Sequence, residues 1–266
     1  LAIQKSLFWP SFHSIVARFA RRGQVGREFS GLYAIFNVTC IAGPMIGGLI
    51  AQRYGIGTSF IIASVIYFCS FIPLFWNKEM AKPWKYRYHD TWEMFKQYPM
   101  KFLGYFGFGE ELLVLTIWPI FIYIVVKNYE DTGIVVTIAT LVATVLALYI
   151  GKITDRHSKT ALMRSGIFIY ALVWLARLIV STSFGAFIVD ALSRTSKDLV
   201  FIPMSTITYE RAESTEILPY IVGFEQALAM GKFLAAVLGI IIFTMTGSFA
   251  ALFIMAAIFS LLYMLV

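Results

Sequence analysis

Ionisable side chains recur inside stretches that are otherwise almost wholly apolar, and an ionised group in apolar surroundings is costly enough to need a reason. Between residues 185 and 208 the chain carries Asp190, Arg194, Lys197 and Asp198. On a helix this spacing puts all of them on one face, with Arg194 and Asp198 set to pair at i, i+4. Glu225 and Lys232 share a face of the stretch 218–244 in the same way. Glu110 and Glu111 are adjacent, about ten residues into the stretch 100–126 and so near mid-depth. Helical neighbours diverge by about 100°, so only one of them can face an interior cavity squarely. Two carboxylates this close repel, and a carboxyl group that can hold a proton is what proton coupling requires. These residues offer reversible binding of protons and of charged or zwitterionic solutes. The alternative for the whole set is a network of ion pairs that only fixes helix packing. Arg177, in the stretch 162–183, lies at a height similar to Asp190 and is expected to form a structural ion pair with it.

Enzyme chemistry finds little support. There is no zinc-type spacing, no glycine-rich phosphate loop and no nucleophile elbow, so neither a catalytic residue nor a metal or cofactor is expected. His13, His89 and His157 show no ligand spacing. Cys40 and Cys69 lie in apolar stretches and read as small core residues rather than a disulfide.

The elements that would position these charges follow from composition. The 266-residue chain is 59% hydrophobic and 14% charged, against about 25% charged in soluble domains. A bilayer is the solvent that suits it. Stretches of about 20 apolar residues, the length that spans the hydrocarbon layer, occur at 29–51, 57–76, 100–126, 132–151, 162–183, 185–208, 218–244 and 248–266. Residues 1–20 resemble the tail of a further helix. Each span must be helical, because lipid offers the backbone no hydrogen-bond partner. The fold class expected is an all-α polytopic membrane protein with eight complete transmembrane helices plus part of a ninth.

Fifteen Lys and Arg residues fall in one set of alternate connections, at 18–27, 78–101, 152–164 and 211, against Arg53 and Lys127 in the other. This asymmetry predicts that the first set is cytoplasmic. The net charge of +7 is then a feature of loop topology and anionic headgroups, not of nucleic-acid binding. The connection 77–99 is basic and aromatic. It reads as a linker on the membrane surface, with a short amphipathic helix at Asp90–Gln97, or as a plain solvated loop. Trp76, Trp84 and Trp92 favour the interface. The aromatic residues Tyr105, Phe106, Phe108, Trp118, Tyr123 and Trp174 could line a cavity, or simply pack and face lipid.

The densest polar run, "GKITDRHSKT", joins two apolar stretches. Its pattern Gly151-x3-Asp155-Arg156-x-x-Lys159 resembles the G-x-x-x-D-R-x-G-[RK] loop of the major facilitator superfamily of transporters. Gly151 allows close helix approach. Asp155 can accept hydrogen bonds from a helix N-terminus, and Arg156 and Lys159 can bind carboxylates or lipid phosphates. The run would serve as a latch between moving helix bundles, or merely anchor the loop in the cytoplasm. Ser158 stands where the family usually has Gly, which puts the tight turn there in doubt. A second stretch, "NVTCIAGPMIGG", resembles the fifth helix of the same superfamily through Gly43, Pro44, Gly47 and Gly48. Small residues at that spacing allow backbone-to-backbone packing, and Pro44 would bend the helix.

The resemblance implies a partial major facilitator fold, running from the end of the fourth helix to the twelfth. Residues 1–76 would be the remainder of an N-terminal bundle, 77–99 a cytoplasmic linker and 100–266 a C-terminal six-helix bundle. It implies a secondary active transporter of small solutes that works by alternating access, with protons as a candidate coupling ion. It would be an integral protein of the cell membrane, acting as a monomer, with the bilayer and its solute as partners. The alternatives are a downhill facilitator whose charges are structural, and a non-transporting sensor on the same scaffold.

Overall fold

The computed structural model of the chain describes residues 2–21, 23–76, 87–127 and 129–266, apart from the side chains of residues 2–6, 42, 44, 45, 48, 49, 51, 52, 56, 74, 76 and 129–133. Helices account for the regular structure, with no strand among the described residues. They are α1 (Ala2–Phe19), α2 (Val25–Tyr54), α3 (Ile56–Cys69), α4 (Tyr88–Gln97), α5 (Pro99–Val126), α6 (Tyr129–Arg156), α7 (Lys159–Ala176), α8 (Ser183–Ser214), α9 (Ile217–Thr246) and α10 (Phe249–Leu262). Four stretches among the described residues are long and apolar enough to cross a membrane: Pro99–Val126, Ile134–Arg156, Lys159–Ile179 and Ile217–Thr246. Gly57–Cys69 and Phe249–Leu265 are apolar but shorter. The 32-residue α8 owes its lower hydropathy to the charged face built on Asp190, Arg194, Lys197 and Asp198.

Local chemistry sets the helix ends. Ser158 caps α7, its hydroxyl accepting from the Ala161 N–H at 3.3 Å. Thr182 caps α8 through the Gly185 N–H at 3.1 Å. These are ordinary side-chain N-caps. Ser158 has φ −63°, so the position does not need the left-handed backbone that would call for glycine. Gly247 ends α9 in the left-handed region at φ 61°, the usual C-terminal stop.

α5 is interrupted. Residues Phe106–Gly109 form a 3-10 turn between Pro99–Tyr105 and Glu110–Leu115. The turn packs on α9 and α10. A Cβ on Gly109 would fall 2.7 Å from Cε1 of Phe259, so only glycine permits this approach. The break places Glu110 at the start of a new helical segment, deep in the assembly.

α8 is the central element, packed against α6, α7 and α9. α2 runs along α6, and α1 rests on α9 and α8. α10 covers α7 and the 3-10 turn of α5. Trp118, Trp174, Phe121 and Phe253 form an edge-to-face and stacked aromatic cluster between α5, α7 and α10. The outward faces of α7 and α9 carry exposed Phe168, Leu172, Phe233 and Ile240, as expected of surfaces turned to acyl chains.

The stretch 77–86, including Trp84, lies outside the described residues, as does the side chain of Trp76. α4 covers the helix expected at Asp90–Gln97 and begins two residues earlier. Arg87 donates to Asp90 at 2.8 Å, and this bond holds the Asp90 carboxyl below its ordinary range. Thr91 is buried against α9, while Trp92 stays exposed with the Lys96 ammonium 5.7 Å from its ring centre.

Candidate functional site

Glu110 has no exposed surface. It receives hydrogen bonds from three helices' worth of donors: the Tyr170 hydroxyl of α7 at 2.5 Å, the Lys197 ammonium of α8, and the Tyr263 hydroxyl just beyond α10 at 3.0 Å. Lys197 also donates to the Tyr263 hydroxyl at 2.6 Å. Its ammonium lies 4.5 Å from the centre of the Phe108 ring and 4.8 Å from that of Tyr263. This is a buried ion pair whose remaining lone pairs are satisfied by phenols, the condition under which such a pair is tolerated.

Glu111 turns away from its neighbour. It meets Lys232 of α9 at 2.5 Å, and both side chains keep about a third of their surface exposed. The Lys232 ammonium lies 4.7 Å from the centre of the same Phe108 ring. Each adjacent glutamate therefore has its own lysine, which relieves the repulsion expected between them.

Two expected pairings on α8 are corrected. Asp190 does not pair with Arg177. It accepts the Trp118 indole N–H at 2.8 Å and the Arg194 Nε–H at 2.9 Å. Arg177 instead donates to Ser193, one turn along α8, at 2.5 Å. Its guanidinium is sandwiched between Trp118 and Trp174, 4.4 and 3.5 Å from the two ring centres. The cause is register: Arg177 sits in a 3-10 turn after α7, which sets it level with Ser193. Because Arg194 turns back to Asp190, it is not available to Asp198. Asp198 is buried, and it makes no hydrogen bond or ion pair among the described residues. Asp198 lies one helical turn before Phe201, whose ring packs on Phe29 and Tyr33 of α2, and so lies along the seam between α2 and α8.

Glu225 lies two turns from Lys232 and points elsewhere. It contacts His13 of α1 at 3.1 Å. Sequence reasoning missed His13, Tyr170, Tyr263 and Tyr209 as members of the polar interior. The usable signal was their position deep within apolar stretches, where buried Tyr and His need a hydrogen-bond partner.

The polar run is not an extended loop: Gly151, Asp155 and Arg156 belong to the end of α6, and Lys159 opens α7. Asp155 accepts the Gly26 and Arg27 N–H groups at the start of α2, each at 2.8 Å. The helix dipole favours an anion there. Gly151 lies against Ser30 and Gly26, and a Cβ on it would come 2.7 Å from the Gly26 carbonyl oxygen. Lys159 pairs with Glu210 at 2.9 Å. Arg156 is exposed. The Asp155 contact predicts that Asp155→Ala costs about 1 kcal/mol, the worth of an N-cap. Amide exchange at Gly26 and Arg27 should then quicken about fivefold, measurable by hydrogen–deuterium exchange mass spectrometry.

The run at 43–48 does not meet its expectation. Among the described residues, nothing lies within 4 Å of a Cβ built on Gly43 or Gly47, and the close contacts of α2 with α6 are made at Gly26 and Ser30. The surroundings of Pro44 and Gly48 lie outside the described residues. Gly47 does accept a hydrogen bond on its carbonyl from Ser59 of α3 at 3.1 Å. Cys40 and Cys69 are both free thiols, and both are exposed where core positions were expected.

These contacts also bring the basic connections to one end of the molecule. Asp155–Gly26 and Lys159–Glu210 join three of the helix ends, and Arg211 lies over the Tyr98 ring at 5.7 Å. None of the curated proteins searched matches the chain. The family model described as Major Facilitator Superfamily matches residues 2–126, the part that contains α1, α2, Glu110 and Glu111. The match covers a little under half of the chain, and with the apolar helices of membrane-spanning length it makes this all-helical chain similar to the major facilitator superfamily, a family of transporters.

Proposed function

We propose that the chain carries the coupling machinery of a secondary active transporter. It moves a small polar solute by alternating access and draws on a proton gradient, in the cell membrane and with the basic end in the cytoplasm. One observation carries this reading. The ionisable groups of α5, α8 and α9 turn inward to a shared interior, and within it one carboxylate, Asp198, has no cation of its own. Structure alone does not need a buried unpaired acid, whereas exchange of a proton or cation does. Residues 1–76 and 100–266 would form the two bundles that rock, and the Asp155 contact with α2 would be remade once per cycle.

The test is transport by the full chain in proteoliposomes. Uptake of tetraphenylphosphonium, a neutral amino acid and a dicarboxylate would be compared with and without a pH gradient. Glu110→Gln together with Glu111→Gln is expected to abolish the gradient-driven component for whichever solute is carried. Unchanged gradient-driven uptake in that variant would refute the role of these carboxylates. A second reading is favoured by Glu110 itself, whose oxygens are fully engaged by Lys197, Tyr170 and Tyr263. In that reading the charges are structural and the solute moves downhill, so uptake would ignore the pH gradient in the native chain.

A further inference from the structure

α1 meets α8 and α9 through one titratable cluster. His13 is buried, 3% exposed, yet both ring nitrogens are occupied. Nδ1 contacts the hydroxyl of Tyr209 on α8, and Nε2 lies 3.1 Å from Oε1 of Glu225 on α9. On its own helix the ring faces Trp9 and Phe12, and from α9 Phe224 meets it edge-on. Tyr209 and Glu225 are therefore the titratable groups that reach it among the described residues. Phe29 of α2 stands edge-on against Tyr209 at 5.4 Å, so the cluster ties α1 and α2 to α8 and α9. It sits at the basic end, within two turns of Arg18 and Arg211 on their respective helices.

The contact to Glu225 is the informative one. Oε1 of Glu225 is buried and accepts no hydrogen bond among the described residues, while His13 Nε2 stands 3.1 Å from it. A neutral imidazole has a single N–H to share between the phenol and the carboxylate. A protonated one has two, plus a charge that needs no alignment to attract Glu225. The geometry suits the charged ring better than the neutral one. Imidazole is also the side chain that ordinarily changes charge between pH 5 and 8.

We infer that His13, Tyr209 and Glu225 form a proton-binding lock between α1 and the α8–α9 pair, which takes a proton from the basic side and holds that end of the molecule closed. The site is separate from the carboxylates of α5, and the inference stands whichever of them carries a coupling proton. Linkage fixes the sign. The proton binds the closed arrangement more tightly, so acidification on that side favours closure, by the same factor by which closure favours the proton. Coupling of this kind is typically about 5–150-fold.

The experiment uses the full chain in nanodiscs with Cys40 and Cys69 changed to Ser. Spin labels are placed through Phe19→Cys on α1 and Ser214→Cys on α8, both exposed positions. Electron–electron distance measurements at pH 8.0 and 5.5 are expected to show the short-distance population gaining at least about fivefold over the long one at the lower pH. His13→Gln, which keeps a hydrogen-bonding amide but cannot titrate, should lose that response. Glu225→Gln should lose it independently, which covers the case in which the His13 variant does not fold. A pH-invariant distribution in the parent chain, a shift toward opening at pH 5.5, or a response retained in either folded variant would overturn the inference.

Discussion

Lys197→Met is expected to destabilise the folded protein by about 3–5 kcal/mol, the usual cost of removing one partner from a buried ion pair. The asymmetry of the site is the reason. Glu110 has no exposed surface and cannot reach water when its cation is lost. The Tyr170 and Tyr263 hydroxyls remain as donors, but they bring no charge to offset the buried carboxylate. Glu110→Gln alone should cost less, because the Lys197 side chain keeps some exposure and three aromatic rings around its ammonium. Combining Glu110→Gln with Lys197→Met should recover most of the loss, since exchanging both partners of a buried pair for neutral groups is often close to neutral. Unfolding in detergent, followed by tryptophan fluorescence, gives the double-mutant cycle. A double variant as unstable as Lys197→Met alone would mean that the loss comes from packing of the lysine stem and not from the orphaned carboxylate. The same double variant separates function from stability: if it is folded and still responds to a pH gradient, the Glu110–Lys197 pair is structural.

The helices were legible because lipid leaves the backbone no choice but helix, and apolar stretches of the right length mark where that constraint acts. Which charges lie in the interior was legible for a similar reason, since an ionised side chain facing acyl chains is hard to sustain. Partner choice was not. Asp190 has Arg194 one turn away on its own helix and Arg177 on the next, and a helix shift of three residues, about 4.5 Å, decides between them. No property of the residues themselves encodes that shift. It follows from the 3-10 turn that ends α7 and from the close seat of Gly166 against the Leu199 backbone. The phenols around Glu110 were hidden for a different reason. In a chain with 17% aromatic residues, Tyr170 and Tyr263 look like any other packing or interfacial ring until a carboxylate is found at their hydroxyls. Ser158 shows the opposite case. Read against the family pattern it looked like a weakness in the turn, yet its hydroxyl caps α7 at a backbone angle open to any residue.

Asp198→Asn is expected to stabilise the protein and silence it. Asp198 is buried, and burying an ionised carboxylate with no paired cation costs several kcal/mol. Every other acid on the inner faces of α5 and α8 offsets that cost with a direct cation: Glu110 with Lys197, Glu111 with Lys232 and Asp190 with Arg194. Asp198 has none within ion-pair distance among the described residues, and feels Arg194 and Lys197 only from farther off. The isosteric amide removes the charge with little change in shape, so thermal unfolding should move up by the equivalent of about 1–3 kcal/mol. If Asp198 is where a proton or a cationic group binds, gradient-driven transport should fall at least about a hundredfold, and stability and activity would then move in opposite directions, as they do where a strained group is kept for its function. If thermal stability falls instead, Asp198 is held by partners that offset its charge, and the unpaired acid can no longer be the reason to place ion exchange at this seam. If stability rises and transport persists, the acid is dispensable. The coupling role then passes to Glu111, the carboxylate of α5 with part of its surface open.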